Sequence, residues 1–119
     1  MITKKNIGYN DLPKDFVHVR FGSSPTLKGK CLLRTSNCVY AYISDSPEHI
    51  ASENDIKNVF TSLLNDVCIP NGFKRVAIND KELHIFALDI FGKPIEYESF
   101  LESLFPEDIE ILIYNIKSA

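Results

Sequence analysis

Between Ser52 and Pro70, six apolar residues, Ile56, Val59, Phe60, Leu63, Leu64 and Val67, recur at spacings of three and four. That spacing places them on one stripe of an α-helix. Ser52 followed three residues later by Asp55 forms a capping signal, Glu53 and Asp55 suit the positive end of the helix dipole, and Pro70 stops the run. A second, shorter helix is expected from Tyr97, Phe100, Leu101, Leu104 and Phe105, ending before Pro106.

The segments around these helices read as strands. Cys38 to Ser44, Phe73 to Ile78, Glu82 to Phe91 and Ile109 to Ile116 are rich in β-branched and aromatic residues, and Asn79-Asp80 is placed to close a hairpin between the second and third. Phe16 to Phe21 and Lys30 to Thr35 add an N-terminal β-hairpin. From residue 38 to 116 the order is β-α-β-β-α-β. The expected fold is therefore α+β and ferredoxin-like, with two helices on one face of an antiparallel sheet. With 119 residues and no linker-like tract, residues 1–119 should form a single domain.

Alternation along these strands divides them into two faces. Val39, Ala41 and Ile43, then Leu83, Ile85 and Ala87, then Ile109, Ile111 and Ile113 suit the helix side. Tyr40, Tyr42, His84, Phe86, Leu88, Leu112, Tyr114 and Ile116 fall on the other. So apolar a face calls for a cover: the N-terminal strands, a second copy in a homodimer, or a ligand. Tyr40, Tyr42, Phe86 and Tyr114 would form the ligand face of an RNA-binding module, in which aromatics on central strands stack bases. Glu82 to Leu88 lacks the Lys/Arg-Gly-Phe-Gly-Phe pattern of such modules, and a pI near 5.5 opposes phosphate affinity. Nucleic acid is the lesser alternative.

Catalytic and metal chemistry find little footing. His18, His49 and His84 show no ligand spacing with one another, the cysteines Cys31, Cys38 and Cys68 contain no CxxC pair, and the glycines build no phosphate loop. No metal and no cofactor is expected. A small enzyme would have to use His18 or His84 as acid/base, with Lys30 or Arg34 on a phosphate. Three cysteines beside apolar residues read as reduced, buried thiols. No stretch approaches the roughly 20 apolar residues of a membrane span, and the first residues lack the apolar core of a secretory signal, so a cytoplasmic protein with no membrane partner is expected.

The charge pattern is more informative. Residues 1 to 40 hold seven Lys/Arg against two Asp/Glu, and residues 41 to 119 hold six against fourteen. Within 96 to 110, Glu96, Glu98, Glu102, Glu107, Asp108 and Glu110 occur with no basic residue. With this acidic stretch and no catalytic set, the chain resembles, in general build, bacterial toxin-immunity proteins, including those of contact-dependent growth inhibition systems. The resemblance implies a short, acidic, cytoplasmic, non-enzymatic protein that binds one toxin domain and blocks its active site. A toxin nuclease attracts phosphates, and an array of carboxylates complements such a site. The expected partner is thus a basic protein held through those six acids.

Overall fold

A computed structural model describes residues 1–89 and 91–117. Six strands, β1 (Ile2–Ile7), β2 (Val17–Ser23), β3 (Cys31–Thr35), β4 (Cys38–Ser44), β5 (Arg75–Asn79) and β6 (Glu110–Ile116), form one sheet in the order β1-β6-β5-β2-β4-β3. Neighbours are parallel throughout, except that β3 runs antiparallel to β4. The fold is therefore a mixed, mostly parallel sheet, and the ferredoxin-like antiparallel arrangement expected for residues 38–116 is wrong. The N-terminal hairpin is wrong as well: β2 and β3 each pair with β4, which lies between them.

The helix expected from the apolar stripe is present. Helix α1 (Glu53–Ser62) continues as a π-helical stretch, Leu63–Cys68, and a last α-helical turn, α2 (Ile69–Asn71). Ser52 caps it: its hydroxyl accepts from the Asp55 amide at 3.2 Å while the Asp55 carboxylate accepts from the Ser52 amide at 2.9 Å. Gly72, at φ 67°, ends it in the left-handed region that a residue with a Cβ adopts at a cost. Helix α4 (Glu98–Leu104) matches the second expected helix and stops ahead of Pro106.

The decisive departure lies between them. Residues expected as a strand from Glu82 to Phe91 begin instead as helix α3 (Asp80–Phe86); Ile90, inside that expected strand, lies outside the described residues. Asn79 does not turn a hairpin. Its side chain accepts from the Glu82 amide at 3.1 Å and caps α3, with Asp80 and Glu82 in the first turn. Leu83 and Ala87, four apart, are both fully buried, whereas Ile85 is 68% exposed. A strand would have put Leu83 and Ile85 on one face. The alternation was real in composition and false in structure, since leucine, histidine and phenylalanine serve either period.

With α3 and α4 between them, β5 and β6 return to the same end of the sheet and pair in parallel. Helices α1, α3 and α4 pack on one face, where Val19, Phe21, Val39, Ala41, Ile43, Ile78, Ile111 and Ile113 meet Ile56, Phe60, Leu63, Leu83 and Leu101 in one core. On the other face the Gly8–Phe16 segment covers only part of the sheet, where Phe16 and Leu12 pack on Ala77, Leu112 and Tyr114. No helix among the described residues is long and apolar enough to cross a membrane.

The helical state of α3 makes a testable pair of substitutions. Leu83→Ala should cost about 2–5 kcal/mol in urea-induced unfolding, and Ile85→Thr less than about 0.7 kcal/mol. Equal large losses at both positions would restore the strand.

Candidate functional site

The acidic stretch does not remain one surface. Glu98 receives the Lys4 ammonium at 2.7 Å, Asp108 receives that of Lys74 at 2.7 Å, and Glu110 lies 3.5 Å from the Arg75 guanidinium, which also binds Asp15. Lys74 holds the Asp108 carboxyl below its ordinary range, chiefly through their hydrogen bond. Glu98 in turn raises the Lys4 ammonium, with smaller contributions from Asp80 and Glu96. Glu96, Glu102 and Glu107 are exposed and form no ion pair among the described residues. Local pairing thus removes three of the six acids and leaves three available.

Two of those three share a groove. Met1 and Ile2, at the start of the edge strand β1, face Leu101 and Phe105 of the α4 region across Ile111, and Glu102 and Glu107 stand beside them. The space is about 700 Å³. Its apolar residues and flanking carboxylates come from opposite ends of the chain, and β6 brings them together by pairing with β1 in register, Ile2 beside Ile111. β1 was not anticipated from the sequence. Thr3, Lys4, Lys5 and Asn6 obscure it, and only the flanking Ile2 and Ile7 signal a strand.

The aromatic face is also rearranged. Tyr40 and Tyr42 on β4 stack at 6.2 Å with their planes 19° apart, and the Arg34 guanidinium lies 5.7 and 5.8 Å from their centroids while bonding the Tyr42 hydroxyl. Tyr114 sits three strands away, beneath the Gly8–Phe16 segment. Phe86 is removed from the face, because α3 directs it against the helix-side core. The same change takes His84 and Leu88 out of the sheet.

Between the two tyrosine groups is a pocket of about 360 Å³ walled by Tyr9, Leu12, Ile116 and Tyr114, with His18, Arg20, Cys38, Asn79 and Glu82. Glu82 is the hinge of its polar side. β2 pairs with β5 only from Val17 to Val19; beyond that the Phe21 amide donates to the Glu82 carboxylate at 2.7 Å, and Arg20 Nε donates to both carboxylate oxygens at 3.1 Å. Sequence reading could not find this bridge, which exists only once Glu82 is on a helix at the end of β5.

The histidines stay apart. His18 Nε2 pairs with the Pro13 carbonyl at 2.7 Å, His49 with Asp45, and His84 lies 3.5 Å from Asp80 in a separate small cavity with Lys4 and Glu96. His18 and His84 are therefore not assembled into one acid/base site. Asp80 also accepts from the Tyr97 hydroxyl at 2.6 Å; burial, then this hydrogen bond, drives the Tyr97 phenol well above its usual range. No three His, Cys, Asp or Glu side chains gather as a metal site among the described residues. Compared with known proteins, the sequence matches no protein-family model and no curated protein.

Cys31 and Cys68 are buried and Cys38 is half-buried. Burial pushes the Cys31 thiol up to about 12 and the Cys68 thiol up to about 11. Groups raised in the folded state contribute fully below their unfolded values and lose that contribution as pH rises, so stability should fall between about pH 9 and 12. Tyr97→Phe should flatten the part of this fall above about pH 10, as read by urea melts. Under native conditions iodoacetamide should label Cys38 ahead of Cys31 and Cys68, as peptide mapping would reveal.

Proposed function

We propose that the chain is a non-enzymatic cytoplasmic binding protein that neutralises a basic partner, such as a toxin nuclease domain, through the acidic edge formed by α4 and the residues flanking it on either side. The observation that carries this reading is the groove in which Met1 and Ile2, over the buried Leu101 and Phe105, lie beside Glu102 and Glu107. An apolar centre with polar flanks is the anatomy of a protein interface, and carboxylates without an internal cation steer a positively charged partner. Of the six acids expected to bind, Glu102, Glu107 and Glu96 are the ones to weight. Glu98, Asp108 and Glu110 serve mainly to tie Lys4, Lys74 and Arg75 in place. A cytoplasmic setting accords with three cysteines that carry free thiols.

A partner captured from the native host by the tagged chain should be lost when Glu96, Glu102 and Glu107 are together reversed to lysine, and retained with the wild-type chain at low salt. Recovery of the same partner by both versions sinks the mechanism.

A second reading, an RNA-binding module, is favoured by the stacked Tyr40 and Tyr42 beside Arg34. It requires single-stranded RNA to quench tyrosine fluorescence at low salt and Tyr40→Ala to weaken the effect; stacking on one base is worth about 1–3 kcal/mol. Unchanged fluorescence at low salt ends it.

A further inference from the structure

The two edges of the sheet are not equivalent. At β3, the Cys31 amide is satisfied by the Ser62 hydroxyl at 2.9 Å, so the end of α1 partly closes that edge. At β1, the Ile111 amide donates to the Met1 carbonyl and the Lys117 amide to the Ile7 carbonyl, both at 2.8 Å. Alternation along a parallel ladder then assigns Met1, Thr3, Lys5 and Ile7 to β6 and turns the backbone groups of Ile2, Lys4 and Asn6 outward.

An exposed edge is usually guarded by lysine, whose charge repels or fails to pair with an incoming strand. Here one of the two lysines is drawn off, because the Lys4 ammonium is folded onto Glu98, and Lys5, next in the strand, projects to the opposite face of the sheet from Ile2 and Lys4. At the start of this strand, beside Met1 and Ile2, lies the groove, floored by the buried Leu101, Phe105 and Ile111 and flanked by Glu102 and Glu107, which form no ion pair among the described residues. An outward row of donors and acceptors fixes the backbone of a visitor, and the flank fixes its side chains.

We propose that β1 accepts an extended, lysine- or arginine-bearing segment of a partner protein as a seventh strand, with apolar side chains in the groove and basic ones on Glu102 and Glu107. This rests on the reading of the chain as a binder of a basic partner, and it specifies the mode. Charge selects the occupant: a neutral or acidic strand would leave both carboxylates unpaired, and a second β1 edge would bring to the groove face only Ile2, Asn6 and Lys4, the last already held by Glu98.

The test uses the full chain and a synthetic peptide of repeating valine-threonine-lysine-threonine, which puts valine and lysine on one face of the added strand, with a proline-interrupted version as control. Hydrogen exchange followed by NMR should show new protection at the Lys4 and Asn6 amides with the uninterrupted peptide alone. By fluorescence anisotropy, Lys4→Pro, which removes one outward donor, should weaken binding about tenfold, whereas Lys4→Ala should bind at least as well as the wild type. Glu102→Lys with Glu107→Lys should abolish it. If the charge reversals matter but Lys4→Pro behaves as Lys4→Ala and the two amides stay unprotected, strand addition is overturned while the acidic interface stands. Absence of protection at millimolar peptide overturns strand addition irrespective of how Lys4→Pro folds, and the host-partner experiment then judges the wider reading separately.

Discussion

A parallel pair of strands cannot be joined by a tight turn; the chain must first travel back to the end it started from. In this protein that obligation falls on residues 80 to 109, between β5 and β6, and Asn79 meets it by capping a helix where a hairpin would otherwise close. From that turn follow the burial of Leu83, the placement of α4, and the delivery of β6 to a position beside β5. β6 then provides the surface on which β1 pairs. Without the crossover neither the groove nor the β1 edge would exist.

The same crossover repairs a weakness in the sheet. β2 and β5 share a short register, from Val17 to Val19, and the open end of β2 beyond it would leave a backbone donor unpaired. Glu82, on the first turn of α3, accepts from the Phe21 amide and holds Arg20. Arg20 is more than half exposed, so the ion pair itself contributes little, and the amide bond is the part that closes the seam. One carboxylate thereby fixes α3 to β2 and shapes the polar wall of the sheet-face pocket.

Electrostatics shows a similar division between local and assembled effects. A run of acids in sequence sets up a continuous negative potential only if nothing basic folds against it. Lys4, Lys74 and Arg75 each come from elsewhere in the chain and settle on Glu98, Asp108 and Glu110. What survives is narrower than the run and better placed, because Glu102 and Glu107 border apolar side chains at a sheet edge.

The amino-acid sequence by itself determined the elements whose period admits one reading: the stripe from Ile56 to Val67 with its Ser52 cap, helix α4 before Pro106, and the strands through Val39 and Ile113, where β-branched residues leave little choice. It also marked the acids that the candidate site uses. Tertiary structure alone decided the state of residues 80–86, where leucine, histidine and phenylalanine fit a helix or a strand and only burial of Leu83 and Ala87 against exposure of Ile85 separates the two. It alone decided that the sheet is mostly parallel, since strand direction depends on the length and path of each connection, quantities without a local residue pattern. The groove likewise joins Ile2 to Phe105 across nearly the whole chain. Such long-range pairings are chosen by the total apolar surface they bury, and no single segment carries that sum.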